Sequence, residues 1–257
     1  MSTVRYEVRE NVAEILLSNP PVNALNETVV DDLLAALDRA AGDKTVRAVI
    51  LGTSIPKRFC AGLELDTFRS GTAAQIRELV DKIYVRLCDA QYNLGKPSIA
   101  AVTGAARGAG MTLAISCDLI VAADTATFGY SEIDVGLLPA IHFTHLPRIV
   151  GRYRAFDLLF SGRMFGAEEA LAMGLVNRVV PADSEMDEAR KLAGVLASKS
   201  PELMRIGKAA FMSAIDSDYR RGLAGAVTLV CAVASTDDFR EGMEAFVEKR
   251  KPVWKAS

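Results

Sequence analysis

The stretch from Ser98 to Glu132, SIAAVTGAARGAGMTLAISCDLIVAADTATFGYSE, constrains the chain more than any other. It runs from a β-prone segment, Ser98 to Thr103, through Gly104, Gly108 and Gly110 into a mostly apolar helix expected over Met111 to Ser116, then into a second strand and a carboxylate. Those glycines let the backbone turn tightly and approach a ligand. A helix that starts directly after glycine presents unpaired N–H groups and a positive dipole end, which suits an anion or a developing oxyanion. A plain strand-to-helix turn would use the same glycines. The spacing is neither G-x-G-x-x-G nor a P-loop, so neither motif offers a phosphate cradle.

The chain of 257 residues can bury a sizeable core, and half of it is hydrophobic. A net charge of −2 with no basic patch argues against nucleic acid. The N-terminus lacks the apolar core of a signal peptide, and no apolar run reaches the roughly 18 residues of a spanning helix. The expectation is a cytoplasmic protein without membrane attachment. Cys60, Cys88, Cys117 and Cys231 form no C-x-x-C pair, so reduced, buried thiols are expected. His142 and His145, the only histidines, could share a helix face, but no carboxylate or thiol cluster joins them and no metal site is expected.

Tyr6 to Val8 and Val12 to Leu17 read as a hairpin turning at Glu10 and Asn11. The loop NPPVNALN follows, with Asn26 as N-cap of a helix from Glu27 to about Ala41 that places Val30, Leu33, Leu34 and Leu37 on one face. Arg47 to Leu51 is a buried strand. In KRFCAGLELDTF the small residues after a strand would let an amide such as that of Ala61 point into a pocket. Ile76 to Tyr92 reads as one helix with Leu79, Ile83 and Leu87 on a common face. Ile133, Val135, Leu137 and Leu138 read as an extended segment ended by Pro139, and His142 to Val150 as a helix with Pro147 in its first turn or bending it. SGRMFGAEEALAMGLVNRVV reads as a turn, a helix from Ala167 to Met173 stopped by Gly174, and a strand from Leu175 to Val180. From Asp187 onward the pattern is helical, with Ser200 and Thr236 as N-caps and Pro201 in a first turn. Composition divides the chain into a core, residues 1–197, and a helical C-terminal subdomain, residues 198–257.

Six segments in order, PPVNALN, FCAGLEL, AVTGAARGAG, SCDLIVAADTATFGYSEIDVGLLP, AEEALAMGLVNRVVP and FVEKRKPVW, make the chain resemble the enoyl-CoA hydratase/isomerase (crotonase) superfamily nearly end to end. The resemblance implies an α/β fold: a spiral of ββα repeats with a helical C-terminal trimerisation region, assembled as a homotrimer or a dimer of trimers. It implies an acyl-CoA thioester substrate, coenzyme A being part of that substrate and no separate cofactor being needed. By motif position the oxyanion hole falls to the backbone amides of Ala61 and Ala109, the catalytic acid/base to Glu132, and coenzyme A contacts to Ala24, Arg58, Leu63 and Lys249.

Family hydratases carry two glutamates, and the position of the first is Thr112 here. A threonine can hydrogen-bond a water but cannot deprotonate it near neutral pH, so one general base remains. A single carboxylate that reaches two carbons suits a double-bond shift, and the pattern is similar to that of Δ3,Δ2-enoyl-CoA isomerases. Single-glutamate relatives also include hydratases, for which Tyr130, Asp134 or His142 could supply a second proton carrier. The leading expectation is a hydratase/isomerase acting through Glu132, the alternatives being an isomerase only or a non-catalytic acyl-CoA-binding protein. Thioester hydrolysis finds no nucleophile elbow.

Overall fold

The computed structural model describes residues 2–64, 72–135 and 137–216, with 237, 241, 245, 248, 250, 253 and 254. The chain opens with the expected hairpin, β1 (Val4–Arg9) and β2 (Val12–Leu17), joined through Glu10 and Asn11, whose φ of 48° and 66° give the left-handed turn that matches strand twist. Helix α1 (Glu27–Gly42) is capped by Asn26, which accepts from the Val29 amide at 3.1 Å. It buries Val30, Leu33 and Leu37 against the sheet.

Three successive turns of chain then repeat one plan. The first is β3 (Ala48–Thr53), β4 (Arg58–Cys60) and a helical segment from Ala73 to Tyr92. The second is β5 (Ser98–Val102), β6 (Ala105–Arg107) and α4 (Ala109–Ser116). The third is β7 (Leu119–Ala123), β8 (Thr127–Gly129), a 3-10 turn (Ser131–Val135) and α5 (His142–Val150). Each turn gives one strand to each of two sheets, which β9 (Met164–Gly166) and β10 (Arg178–Val180) extend, ordered β1-β2-β3-β5-β7-β10 and β4-β6-β8-β9 among the described residues. From β2 onward the larger sheet is parallel, as are β4, β6 and β8. The result is the expected spiral of ββα repeats.

Strands β3 and β5 are buried on both faces, which explains their unbroken apolar runs. One face meets the main core. The other is covered by α8 (Glu185–Ala197), whose Ala189, Ala193 and Ala197 pack on Ala48, Ile50, Ile99, Ala101 and Val121. Glu14, only 3% exposed on β2, is neutralised by Arg190 of α8 at 2.8 and 3.0 Å, so this buried carboxylate belongs to the scaffold.

Several elements differ from the sequence reading. The segment read as one helix over Ile76 to Tyr92 begins earlier, at α2 (Ala73–Asp81) behind a Thr72–Gln75 capping box, and passes through a π turn (Lys82–Arg86) into α3 (Leu87–Tyr92). The segment read as extended after Glu132 begins instead as the 3-10 turn, which takes in Ile133 and Val135, while Leu137 and Leu138 lie in neither helix nor strand. Pro147 lies well inside α5, where only the bond to the Phe143 carbonyl is forfeited. Helix α6 (Arg152–Ser161), set between Gly151 and Gly162, was not anticipated, and β9 (Met164–Gly166) replaces part of a turn. Helix α7 (Ala167–Ala172) stops before Gly174 as expected, while β10 covers only Arg178–Val180. Helix α9 (Pro201–Asp216) is capped by the Ser200 hydroxyl, which accepts from the Leu203 amide at 3.2 Å. Thr236 and Lys249 lie outside the described residues.

Two glycines are explained by contact. A Cβ on Gly104 would strike the Lys57 carbonyl, and one on Gly110 the Cys60 carbonyl. These approaches clamp β4 against the start of α4. Gly110→Ala should therefore cost about 1–3 kcal/mol or more in urea unfolding. Gly194→Ala, exposed in α8 with nothing within 4 Å, should stabilise by about 0.5–1 kcal/mol.

Candidate active site

The loop between β2 and α1 is laid along the segment after β4 by main-chain bonds: Ala61 N–H to Val22 O at 3.0 Å, Leu25 N–H to Gly62 O at 2.8 Å and Glu64 N–H to Leu25 O at 3.0 Å. Asn23 locks the loop from inside. It is fully buried at φ 54°, donates to the Phe59 carbonyl at 2.9 Å and Thr53 Oγ1 at 2.7 Å, and accepts from the Asn19 amide at 2.9 Å. Asparagine suits this position because its short amide tolerates the left-handed region and supplies both donor and acceptor.

Leu25 and Leu63 form an isolated parallel bridge. In such a bridge Leu25 takes both bonds, through residues 62 and 64, and the N–H of Leu63 faces the other way. Gly62, at φ 96°, holds this backbone against α4: a Cβ there would meet Arg107 O at 2.9 Å and Ala109 N at 3.5 Å. The Ala109 N–H opens α4, where no intrahelical partner exists. Met111 and Thr112 amides turn back to the Gly108 carbonyl instead, at 2.8 and 3.3 Å. Ala109 thus has a methyl where a glycine would leave space, but its amide is oriented by the same helix start.

A cavity of about 420 Å³ lies over these amides, lined among others by Val22, Ala24, Leu63, Glu64, Ala109 and Glu132. Glu64 and Glu132 are the charged side chains among its described lining residues. Glu132 stands on the 3-10 turn, half-buried, with its carboxyl against Gly108: a Cβ on Gly108 would come within 3.0 Å of its Cδ and Oε1. Burial raises its pKa, which its own amide partly opposes. Its Oε2 is buried without a hydrogen-bond partner.

Behind this wall Thr112, Tyr130 and His142 are completely buried and do not line the cavity. Thr112 Oγ1 and His142 Nε2 are 3.2 Å apart, and the Tyr130 and His142 rings meet edge-on at 4.5 Å. Burial, with a smaller contribution from His145, depresses the His142 pKa to about 3, so the imidazole is neutral. The Tyr130 phenol is pushed up by burial and then by the charge of Glu132. The phenol of Tyr84, in the π turn, is raised by the same two causes in the same order, which places it within the field of Glu132. The thiol of Cys60 is pushed up to about 12 by burial, making it an unreactive packing group.

The structure therefore gathers Ala24, Ala61, Leu63, Ala109 and Glu132 at one cavity. It corrects the assignment of Ala61, whose N–H is spent on Val22; the free amide of that segment is two residues on, at Leu63. Arg58 is exposed at the start of β4, donates to the Lys57 carbonyl at 3.1 Å and stands outside the cavity lining. Asn23, Gly62 and Tyr84 were not singled out from the sequence. An asparagine preceding Ala-Leu in a Pro-Pro loop was the available signal for the first, and Ala-Gly after a strand for the second. Among the described residues no group of three or more His, Cys, Asp or Glu is placed to hold a metal ion.

The family model described as enoyl-CoA hydratase/isomerase matches residues 7–257. The chain is 37% identical over 260 residues to a probable enoyl-CoA hydratase of Mycobacterium tuberculosis, covering 97% of this chain and 96% of that protein. It is 35% identical over 250 residues to a crotonyl-CoA hydratase of Syntrophomonas wolfei, covering 95% of each. The crystal structure of an enoyl-CoA hydratase from Bacillus anthracis superposes with a TM-score of 0.94 at 31% identity, covering 99% of this chain and 100% of that one. With its spiral fold and its amide-lined cavity, the chain belongs to the enoyl-CoA hydratase/isomerase family. It is an enzyme of that family.

The neutral state of His142 gives stability a pH dependence. Its folded pKa, about 3, lies below the ordinary 6.5, so as pH falls below 6.5 the unfolded chain takes up a proton that the folded chain refuses. Stability is lost through that window and is fully present above it. Between pH 7 and pH 5 the loss from this group should be about 1–2 kcal/mol. Urea unfolding of His142→Gln at the two pH values should show that increment missing.

Proposed function

We propose that the chain performs acid–base chemistry at an acyl-CoA thioester, with the backbone amides of Leu63 and Ala109 receiving the thioester carbonyl oxygen and Glu132 moving the proton. The observation that carries this reading is the meeting, at one cavity, of a half-buried carboxylate with raised pKa and two main-chain N–H groups that have no backbone partner among the described residues. Two amides fixed by a parallel bridge and a helix start would stabilise an enolate oxygen without reorganising, and one such donor is worth about 3–4 kcal/mol at best. A carboxyl whose pKa is raised toward neutrality can both take and return a proton.

Two outcomes share the enolate. Glu132 can remove a proton from one carbon and return it to another, which shifts a double bond. It can also deprotonate a water that adds at C3 while the enolate forms, after which C2 is protonated. The names of the relatives favour hydration. The burial of Thr112 behind the wall, tied to His142, favours the shift, because position 112 offers no second carboxylate. Coenzyme A enters as part of the substrate, with Ala24, Arg58 and the Leu63 backbone as its surface, and by family resemblance Lys249 as a further contact. We place the enzyme in the cytoplasm as a homotrimer or dimer of trimers. Exposed Phe143, Phe156 and Phe160, stacked at 5.6 and 4.4 Å, supply an apolar face that association would cover. Among the described residues no helix is long and apolar enough to cross a membrane.

Crotonyl-CoA and trans-3-hexenoyl-CoA, followed by ultraviolet absorbance of the conjugated thioester and by product mass, test the reading. Crotonyl-CoA losing conjugation and gaining one water establishes hydration; hexenoyl-CoA gaining conjugation at constant mass establishes isomerisation. Glu132→Gln should lower either rate by about 10²–10⁴-fold. A wild-type protein that binds crotonyl-CoA but turns over neither thioester would make it a binding protein and overturn the proposal.

A further inference from the structure

Among the described residues, three of the buried side-chain polar atoms that lack a partner belong to one neighbourhood: Tyr130 Oη, His142 Nδ1 and Glu132 Oε2. Tyr130 touches His142 ring to ring at 4.5 Å, and Glu132 lies two residues further along the same segment. Gly108 connects them from below. The Glu132 carboxyl lies where a Cβ of residue 108 would stand, within 3.0 Å, and the Gly108 carbonyl faces His142 and receives the Thr112 amide at 3.3 Å. Buried polar groups of complementary kind are seldom left unmatched, and one internal water making about three bonds is the usual solution.

We propose that His142, anchored by Thr112, and Tyr130 are positioning residues that hold one ordered water on Glu132 Oε2 and so orient the carboxylate toward the reacting carbons. This rests on Glu132 being the acid/base. The wall is neutral: His142 keeps one ring N–H and one lone pair, Tyr130 its hydroxyl proton. The groups around Glu132 are Tyr84 from the π turn, Tyr130 from the end of β8 and Glu64 across the cavity, with His142 of α5, and His145 beside it, packed behind Tyr130 and Gly108. Asp134 shares its turn, and Arg107 on β6 directs its guanidinium to Thr127, at 2.5 and 2.8 Å. Beyond its own amide, the carboxylate takes its hydrogen bonds from the bound water. Donors to a carboxylate favour the charged form, and their loss raises the pH at which it protonates.

The test compares wild type, Tyr130→Phe, His142→Phe, His142→Gln and Glu132→Gln in kcat, KM and the pH profile of kcat, with thermal melting to confirm folding. Tyr130→Phe, which keeps the ring, is expected to lower kcat about tenfold with KM within about twofold, and to move the acidic limb upward by about half a pH unit or more. His142→Phe should do the same, and His142→Gln should recover most of the loss. A folded Tyr130→Phe with wild-type kcat and an unmoved acidic limb overturns the proposal, and decides it alone if His142→Phe does not fold. Retained activity in Glu132→Gln would overturn the acid/base reading itself, a result separate from any of the others.

Discussion

The site depends on one short contact, the parallel bridge between Leu25 and Leu63. Because Leu25 bonds the residues on either side of Leu63, the Leu63 amide has no sheet partner and is held rigidly by its neighbours. Asn23 makes the bridge possible by tying the loop to the ends of β3 and β4, and the glycines at 62, 104 and 110 let the backbones approach closely enough. The spiral repeat brings the α4 start to the same place from the next turn of chain. Neither donor is a side chain, so the positions around them tolerate substitution as long as the backbone path is kept.

The electrostatics follow from depth rather than from charge pairing. Glu132 is raised by burial, His142 is lowered by burial, and Tyr130 and Tyr84 are raised by burial before the charge of Glu132 adds its part. Each group is thereby pushed toward its neutral form. Ion pairs of the molecule sit elsewhere, as with Glu14 and Arg190 between the sheet and α8, where they serve packing. Among the described residues of the cavity lining, Glu64 is the other carboxylate beside Glu132.

Much of this was legible in the sequence, for definite reasons. The long buried strands and amphipathic α1 announce themselves by period, and Asn26 by its capping chemistry. Glu132, Ala61 and Ala109 were read from motif position. What escaped was set by single residues of register. The strands of the smaller sheet span three residues each, too few for a pattern. The alternation after Glu132 fits an extended strand but is too short to exclude a tight turn over its first residues. Motif position and small side chains pointed to the Ala61 amide, whereas which amide is free depends on a bridge to a loop some forty residues earlier. His142 looked like a candidate for titration; its depth, invisible in the sequence, makes it neutral.

The π turn over Lys82–Arg86 has a consequence of its own. In a regular helix a contact stripe kept at every fourth residue slides sideways by about 40° per step, so Leu79, Ile83 and Leu87 would fan out across the helix face. One wider turn, closed by Leu87 N–H to Lys82 O, absorbs the slide, and all three are buried. The same turn sends residues two apart in opposite directions. Lys82 goes to Glu27 and Asp31 of α1, at 2.7 and 2.9 Å, and Tyr84 toward Glu132. The helix works as a vernier: its extra residue sets the angular phase between scaffold and reaction centre, and a one-residue deletion there would retune the enzyme while leaving its composition almost untouched.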